Sequence, residues 1–272
     1  MNTNNNNNFS NRLNLIDALR GLAIISMIFY HAVWIMNSFS YGLSDEILYG
    51  PACIFWERTI CMTFILISGF SFSLGHRHLK NAALTFFLGA VITLVTCLFV
   101  PDIRIIFGVL TFLGTAGLLM IPLDKWLYRI RNSILFENLH LKTKPFLYFS
   151  ALLSLLLFLL SYDIKHRYIG LFGHSLFALP DKWYSGYFMT YLGFLDPTFF
   201  SSDYFPVIPW IFWYFLGYFL EKISRNTTFR NTCLKKNIPF LGFLGRHSLI
   251  IYVIHPIVIF AAVYIFSIVS QP

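Results

Sequence analysis

Seven apolar segments dominate this sequence of 272 residues. They cover residues 15–37, 53–74, 82–100, 104–123, 146–162, 204–220 and 247–269. Crossing about 30 Å of hydrocarbon takes roughly 17 to 25 residues of α-helix, so each segment is long enough to span a bilayer. Backbone polar groups have no water to bind in the bilayer core, and a helix satisfies them internally. We therefore expect an all-α integral membrane protein with a bundle of about seven transmembrane helices.

The composition excludes an ordinary soluble domain, because 57% of the residues are hydrophobic and only 12% are charged. The first eleven residues, MNTNNNNNFSN, lack the charge, apolar core and cleavage site of a signal peptide. Their low complexity predicts a disordered, Asn-rich leader over residues 1–11. We expect residues 12–272 to form a single transmembrane domain. The four cysteines show no metal-ligand spacing, so no metal site is predicted.

The net charge of +8 is unevenly distributed along the chain. With the N-terminus in the cytoplasm, fifteen of the 20 Lys and Arg residues fall in inner segments and four in outer ones. This bias predicts a cytoplasmic N-terminus and an outer C-terminus in a bacterial-type cytoplasmic membrane. The basic charge is then a sign of topology, and no nucleic-acid partner is expected.

One aromatic stretch, WYSGYFMTYLGFL, does not fit the pattern of spans and loops. It is too aromatic for a solvated loop and too short to cross the hydrocarbon core. We predict a short interfacial or re-entrant helix near residues 183–195, over the outer mouth of the bundle.

The first apolar segment carries Asp17 and Arg20 near one end and His31 deep inside. Eleven residues make about three helical turns, so Arg20 and His31 share one face. Ionisable groups within a span face the protein interior or a watery cavity and mark functional sites. Counting helical rise places Glu57 and Arg58 of the second segment at nearly the depth of His31. The candidate catalytic group is His31 as general base, Glu57 to orient it and Arg58 to stabilise an oxyanion.

Structural interpretations of these residues remain open. Glu57 and Arg58 can neutralise each other near the headgroups, while His31 bonds a backbone carbonyl. Asp17 and Arg20 are three residues apart and either pair with each other or leave Arg20 to bind a phosphate of a cytoplasmic donor.

Further candidates lie in three other segments. Ser68 and Gly69, in LISGFSFSLG, form either a helix-packing surface or a passage for a slender ligand on the donor side. Asp203 and Trp210, in DYFPVIPWIFWYFLGYFL, are either interfacial residues or part of a substrate wall. His255 is either a second catalytic or substrate-binding group or a satisfied core histidine beside a proline.

Five stretches in chain order carry a family resemblance: IDALRGLAIISMIFYH (16–31), FILISGFSFSLG (64–75), FGVLTFLG (107–114), YFPVIPWIFWYFLG (204–217) and LGRHSLIIYVIHPI (244–257). With them the chain resembles the catalytic-domain family of heparan-α-glucosaminide N-acetyltransferases. It is more distantly similar to type-3 membrane acyltransferases, whose arginine–histidine signature has the spacing of Arg20 and His31.

The resemblance implies that an acetyl group passes from cytoplasmic acetyl-CoA to a sugar amine or hydroxyl at the outer side. For this reaction we expect Asp17, Arg20, Ser68 and Gly69 on the donor side and Asp203, Trp210 and His255 on the acceptor side. The lysosomal members use a histidine in the outward loop after the first matching helix, and residues 32–75 contain none. His31 is therefore the candidate for that role, by direct proton removal or as an acetyl-histidine relay.

Two functions of other classes use the same buried polar face. One is a non-enzymatic transporter, although the two related halves with broken helices that many transporters show are not seen in this sequence. The other is a scaffold for glycan assembly. The expected partners are acetyl-CoA, a sugar or glycan acceptor and the lipid bilayer, and an oligomer is compatible with the sequence.

Overall fold

The computed structural model describes residues 12–39, 41, 44–131, 143–171, 173–225 and 227–270. The predicted leader, residues 1–11, lies outside the described residues. Within the described ranges the helices are α1 (Asn14–Ser38), α2 (Asp45–Leu48), α3 (Pro51–Phe72), α4 (His78–Phe99), α5 (Val109–Arg131), α6 (Thr143–Ser161), α7 (Tyr187–Leu192), α8 (Val207–Ser224), α9 (Thr228–Thr232), α10 (Pro239–Arg246) and α11 (Ser248–Ser270). The strands are β1 (Tyr168–Leu171) and β2 (His174–Ala178).

Prolines mark several of these helix boundaries. Helices α3 and α10 begin at Pro51 and Pro239, and α4 ends shortly before Pro101. Proline has no backbone N–H and a fixed φ, so it suits the first turn of a helix and is disfavoured further along it. Pro122 and Pro256 nevertheless lie inside α5 and α11, so these two apolar runs continue through a proline.

Six helices are long and apolar enough to cross a membrane among the residues described, which confirms the predicted all-α membrane fold. Their spans are Asn14–Asn37, Pro51–Phe72, His78–Phe99, Val109–Ile130, Lys144–His166 and Ser248–Val269. The apolar segment 204–220 forms α8, which has 18 residues and is interrupted at Ile208 (φ −96°, ψ 130°). Pro209 disfavours the helical conformation for the residue before it, and with Ile208 non-helical the continuous part of α8 is shorter than the six spans.

The region between α6 and α8 contains the short helix predicted near residues 183–195, now seen as α7. It also contains an antiparallel hairpin of β1 and β2, which the sequence pattern did not indicate. The hairpin pairs Tyr168 with Ala178 and Leu171 with His174. Gly173 in its turn has φ +84°, a conformation that glycine adopts without strain. Strands of four and five residues are too short to show a clear alternating pattern.

The first of two compact units includes residues 12–64 and 224–270 of the described chain. In it α11 runs parallel to α1, because Phe39 contacts Phe260 and Tyr41 contacts Phe266, with ring centroids 5.7 Å and 5.5 Å apart. The core of this unit is formed by α1 and α3 residues. Its buried members are Ile24, Met27 and Ile60.

Two glycines let α1 and α10 touch through their backbones. A Cβ on Gly21 would lie 2.0 Å from the carbonyl oxygen of Leu241, and one on Gly245 would lie 1.8 Å from that of Asp17. Small residues permit this close approach of membrane helices, which are held together mainly by packing. The contact fixes α10 beside the first turns of α1.

The second unit includes residues 65–223. Its helices α4 and α5 form an antiparallel pair, because Gly89 lies against Thr111 and Gly114 lies against Phe86. The start of α5 is closed by Asp203, whose Oδ2 accepts a hydrogen bond from the Val109 N–H at 3.2 Å. A carboxylate in this position satisfies a free N–H and favours the positive end of the helix dipole.

Candidate active site

Helices α1 and α11 bring two histidines side by side within the first unit. The ring centroids of His31 and His255 are 5.0 Å apart, with the planes tilted by 54°. His255 is only 6% exposed, and His31 is partly buried. The parallel course of the two helices produces this pair from residues more than two hundred positions apart in sequence.

Hydrogen bonds fix the orientation and the tautomer of His255. Its Nδ1 lies 2.8 Å from the carbonyl oxygen of Tyr252 and 3.2 Å from that of Ile251. Carbonyl oxygens only accept, so in the neutral ring Nδ1 carries the hydrogen and Nε2 carries a lone pair. That Nε2 is buried and has no hydrogen-bond partner in the described part of the chain. A buried polar atom without a partner is rare, and this one is a basic nitrogen.

The residue after His255 explains why a backbone carbonyl is available to it. Pro256 lies inside α11 and has no N–H to donate to the carbonyl of Tyr252, four residues earlier. The His255 side chain donates to that oxygen instead. The interpretation of His255 as a satisfied core histidine beside a proline therefore holds for Nδ1. It does not hold for Nε2, which has no hydrogen-bond partner among the described residues.

Aromatic residues of α1 and α3 enclose the other side of the pair. The ring of Tyr30 meets that of His31 edge-on at 5.8 Å and that of Trp56 at 5.5 Å. Trp56 Nε1 donates to Ser26 Oγ at 2.7 Å. These contacts join α1 to α3 next to His31. Trp56 was not predicted as a site residue, although it directly precedes Glu57 in the sequence.

Glu57 and Arg58 are partly buried on α3. Both charges act on the hydroxyl of Tyr30, which places them near the residue that precedes His31. Within the described ranges they form no ion pair with each other and no hydrogen bond to His31. The neighbour of the His31 ring is instead His255, and the catalytic roles of Glu57 and Arg58 stay predictions.

Asp17 and Arg20 form the ion pair that their spacing allowed, with Arg20 Nη1 at 3.7 Å from Asp17 Oδ1. A nearer partner, Arg12, donates from Nε to Asp17 Oδ2 at 2.7 Å. Asp17 is buried and sits at the first turn of α1. One carboxylate therefore serves two guanidinium groups, and binding of a donor phosphate by Arg20 stays a prediction.

Ser68 and Gly69 lie on α3 in the second unit. A Cβ on Gly69 would lie 2.0 Å from the carbonyl oxygen of Tyr214, so the backbone of α8 covers this glycine. This geometry favours the helix-packing interpretation of Gly69. Ser68 is partly buried, and its role toward acetyl-CoA stays a prediction.

Asp203 and Trp210, also in the second unit, both have structural contacts. Asp203 closes the start of α5, as described above. The ring of Trp210 is 3% exposed and packs against Phe158 and Phe205, with centroid distances of 5.7 Å and 5.1 Å. Their roles on the acceptor side stay predictions. In the described chain no three His, Cys, Asp or Glu side chains converge as metal ligands do.

Comparison with known protein families gives a match that covers nearly the whole chain. The family model described as "Heparan-alpha-glucosaminide N-acetyltransferase, catalytic" matches residues 12–257. No curated protein and no solved structure matches the chain. The matched range includes every candidate site residue, from Asp17 to His255, and it confirms the resemblance carried by the sequence stretches. The chain belongs to the heparan-alpha-glucosaminide N-acetyltransferase catalytic-domain family, which implies a membrane acetyltransferase.

Proposed function

We propose that this membrane acetyltransferase moves an acetyl group from cytoplasmic acetyl-CoA to an amine or hydroxyl of a sugar at the outer side of the membrane. The observation that carries the proposal is the pair of His31 and His255 in the first unit. One ring of the pair presents a buried nitrogen lone pair with a fixed tautomer. Proton transfer by a positioned imidazole contributes about 10²- to 10⁴-fold to the rate of such reactions.

The reaction requires one proton to leave the acceptor and one to reach the leaving thiolate. The acceptor nitrogen or oxygen attacks the thioester carbonyl, a C–N or C–O bond forms, and the C–S bond breaks. His31 removes the acceptor proton and later returns a proton to the coenzyme A thiolate. His255 Nε2 accepts a hydrogen bond or the proton from His31 when that ring turns toward it. Its Nδ1–H, held by Tyr252, keeps the ring oriented.

A covalent alternative uses the same residues. The nitrogen of His31 attacks the thioester carbon, releases coenzyme A and carries the acetyl group until the acceptor takes it. The two routes differ in whether labelled acetyl-protein forms when no acceptor is present. A sugar amine and a sugar hydroxyl both fit either route.

Three charged groups extend the site along α1 and α3. Arg58 stabilises the oxyanion that develops on the thioester carbonyl, and Glu57 orients His31. Their partial burial without an ion pair to each other supports a role toward substrate. Arg20 lies about 16 Å from His31 along α1, a distance that the extended pantetheine arm of acetyl-CoA spans. Its planar guanidinium suits a donor phosphate.

The sidedness of transfer follows from the distribution of charge. The excess of Lys and Arg in inner segments supports a cytoplasmic N-terminus in a bacterial-type cytoplasmic membrane. Arg20 then lies near the donor compartment and His31 deeper in the membrane. We further propose that residues 12–272 act as one domain, since a single family model continues through both compact units.

The direct test is an acetyl-transfer assay with purified full-length protein, radiolabelled acetyl-CoA and a panel of amino sugars. The variants are His31→Ala and Arg20→Ala, with His247→Ala as the matched control. His247 is an exposed histidine whose Nδ1 already bonds the carbonyl of Phe243. We expect transfer to be lost in His31→Ala, donor KM to rise in Arg20→Ala, and activity to persist in His247→Ala. Normal transfer by folded His31→Ala would exclude the proposed chemistry.

A further inference from the structure

The last part of the chain carries cations without any carboxylate side chain. No Asp or Glu follows Glu221 in the sequence. Lys235, Lys236 and Arg246 lie in this part, and none of them faces an acidic side chain in the described chain. Lys236 and Arg246 are exposed, and Lys235 is partly exposed. Among the residues that the structure describes, these positive charges have no acidic side chain as a partner.

Two aromatic side chains stand beside these cations on α10. Phe240 is 68% exposed and Phe243 is 53% exposed, and they are three residues apart on one helix face. The opposite face of α10 is buried against α1, where Leu241 lies against Gly21 and Gly245 lies against Asp17. We call Lys235, Lys236, Phe240, Phe243 and Arg246 the basic–aromatic surface.

Contacts with α1 show the depth at which this surface lies. The Leu15 N–H donates to the carbonyl oxygen of Leu234 at 3.0 Å, so the surface begins beside the first turn of α1. Gly245 lies against the backbone of Asp17. The basic–aromatic surface is therefore within about 10 Å of the end of the span, at the level of lipid headgroups and the first methylenes of the acyl chains.

Arg246 follows Gly245 at the end of α10, so its backbone lies near Asp17, at the level of the first turns of α1. Its Nη1 lies 3.4 Å from the position that a Cβ of Gly242 would occupy, one turn earlier on the helix.

We propose that the basic–aromatic surface binds the phosphate headgroups of anionic lipids in the leaflet at the N-terminal end of α1. The three cations contact the phosphates, and Phe240 and Phe243 enter the boundary of the acyl chains. Amphipathic segments with this combination of aromatic and cationic side chains bind in the plane of the interface, and anionic lipid strengthens the binding. This role lies beyond acetyl transfer and does not depend on it.

The test uses full-length protein in nanodiscs of phosphatidylcholine with increasing phosphatidylglycerol, and measures bound phosphatidylglycerol by native mass spectrometry. The variant is Lys235→Gln/Lys236→Gln/Arg246→Gln. The matched control, Lys165→Gln/Arg167→Gln/Lys182→Gln, removes three exposed cations from the segments predicted to lie on the outer side, where Arg167 already pairs with Asp181. Each juxtamembrane cation contributes about fivefold to anionic-lipid affinity, so we expect the variant to lose at least about tenfold and the control to retain affinity. Added salt should reduce the difference in phosphatidylglycerol affinity between wild type and the triple variant, because salt screens the charges.

A second variant, Phe240→Ser/Phe243→Ser, keeps the cations and tests the contact with the acyl chains. If the triple variant does not fold, this second variant tests the lipid-binding proposal by itself. We expect weaker retention of phosphatidylglycerol with the same salt dependence. The proposal is overturned if the folded variants retain the lipid like wild type, or if the control loses as much. It is also overturned if acetyl-CoA displaces the lipid, because the surface would then be part of the donor site. Failure of acetyl transfer leaves the lipid readout unaffected.

Discussion

The dipeptide of His255 and Pro256 sets the chemistry of the candidate site. Proline removes the helical donor for Tyr252, and the histidine side chain replaces it through Nδ1. The sequence shows both residues, and a histidine directly before a proline inside an apolar run is the signal that a ring nitrogen can bond the backbone. It does not show that the second ring nitrogen stays free or that His31 lies beside it.

The two histidines are expected to act together. We predict that His31→Ala and His255→Ala each lower kcat/KM for acetyl transfer by about 10²- to 10⁴-fold. The double variant should lose about as much as one single variant, because groups that act as a unit are not additive. A double-mutant cycle on steady-state rates measures this, and losses that multiply would show that the rings act independently.

Pro256→Ala serves as the control for orientation in this cycle. It restores the N–H that Tyr252 would bond in a regular helix and leaves both imidazoles in place. We expect kcat to fall by roughly tenfold or less, a smaller loss than in His255→Ala. A loss as large as that of His255→Ala would indicate that the proline supports the helix itself.

Asp196, outside the membrane spans, gives a pH-dependent prediction. The Gly186 N–H at 2.7 Å, together with the N–H and hydroxyl of Thr198, donates to its carboxylate and holds its pKa below the ordinary value of 3.8. A lowered folded-state pKa stabilises the fold above the ordinary pKa, and this contribution is lost as the pH falls through the lowered one.

We therefore expect Asp196→Asn to lower the thermal midpoint slightly at pH 7, because the site is exposed. The difference in thermal midpoint between wild type and Asp196→Asn should disappear as the pH falls below 3.8. Thermal unfolding curves recorded between pH 7 and 3 measure this difference. Thr198→Val, which removes only the hydroxyl donor, should show a smaller gap of the same sign. A gap that stays constant with pH would show that the charge of Asp196 does not contribute.

At the scale of elements, the apolar segments predicted which helices form, and glycines determine how closely these helices pack. Segment length and hydropathy were enough to predict the six candidate spans. The interruption of α8 follows from Pro209. The hairpin of β1 and β2 was missed, since four- and five-residue strands give little periodicity. The contact of Gly21 with α10 depends on residues far apart in sequence and required the structure.

Gly21→Ala should destabilise the contact of α1 and α10. Its Cβ would meet the Leu241 carbonyl oxygen at 2.0 Å, a backbone atom that moves only if the helices separate. Overpacking of this kind costs typically about 1–3 kcal/mol. Gly75→Ala is the control, because its nearest neighbour would lie at 3.6 Å. Thermal unfolding in detergent compares them, and equal midpoints for the two variants would contradict this account of α1 packing.

At the scale of the whole molecule, the topology of the termini is the main open expectation. An N-terminus in the cytoplasm and a C-terminus outside require an odd number of crossings. The six candidate spans satisfy this if α8 also crosses, with its aromatic residues in the outer half. The kink at Ile208 and the charges of Glu221 and Lys222 leave α8 as the helix on which the topology depends.

Reporter fusions test this arrangement. We expect green fluorescent protein to fluoresce when fused to the N-terminus or after Arg131, and to remain dark when fused after Pro272. Alkaline phosphatase should show the opposite pattern, because it is active only outside the cytoplasm. A fluorescent fusion after Pro272 would place both termini inside and show that α8 does not cross.

The sequence by itself determined the membrane class, the apolar spans, the family and the presence of His31 and His255 within two of them. These properties depend on local composition and on residue order, which the chain carries in any conformation. The tertiary structure decided that the two histidines meet, that Arg12 shares Asp17 with Arg20, and that Gly69 and Trp210 are packed against neighbouring side chains and backbone. Such contacts depend on which helix faces lie together, and side-chain packing selects those faces among many that the sequence pattern allows.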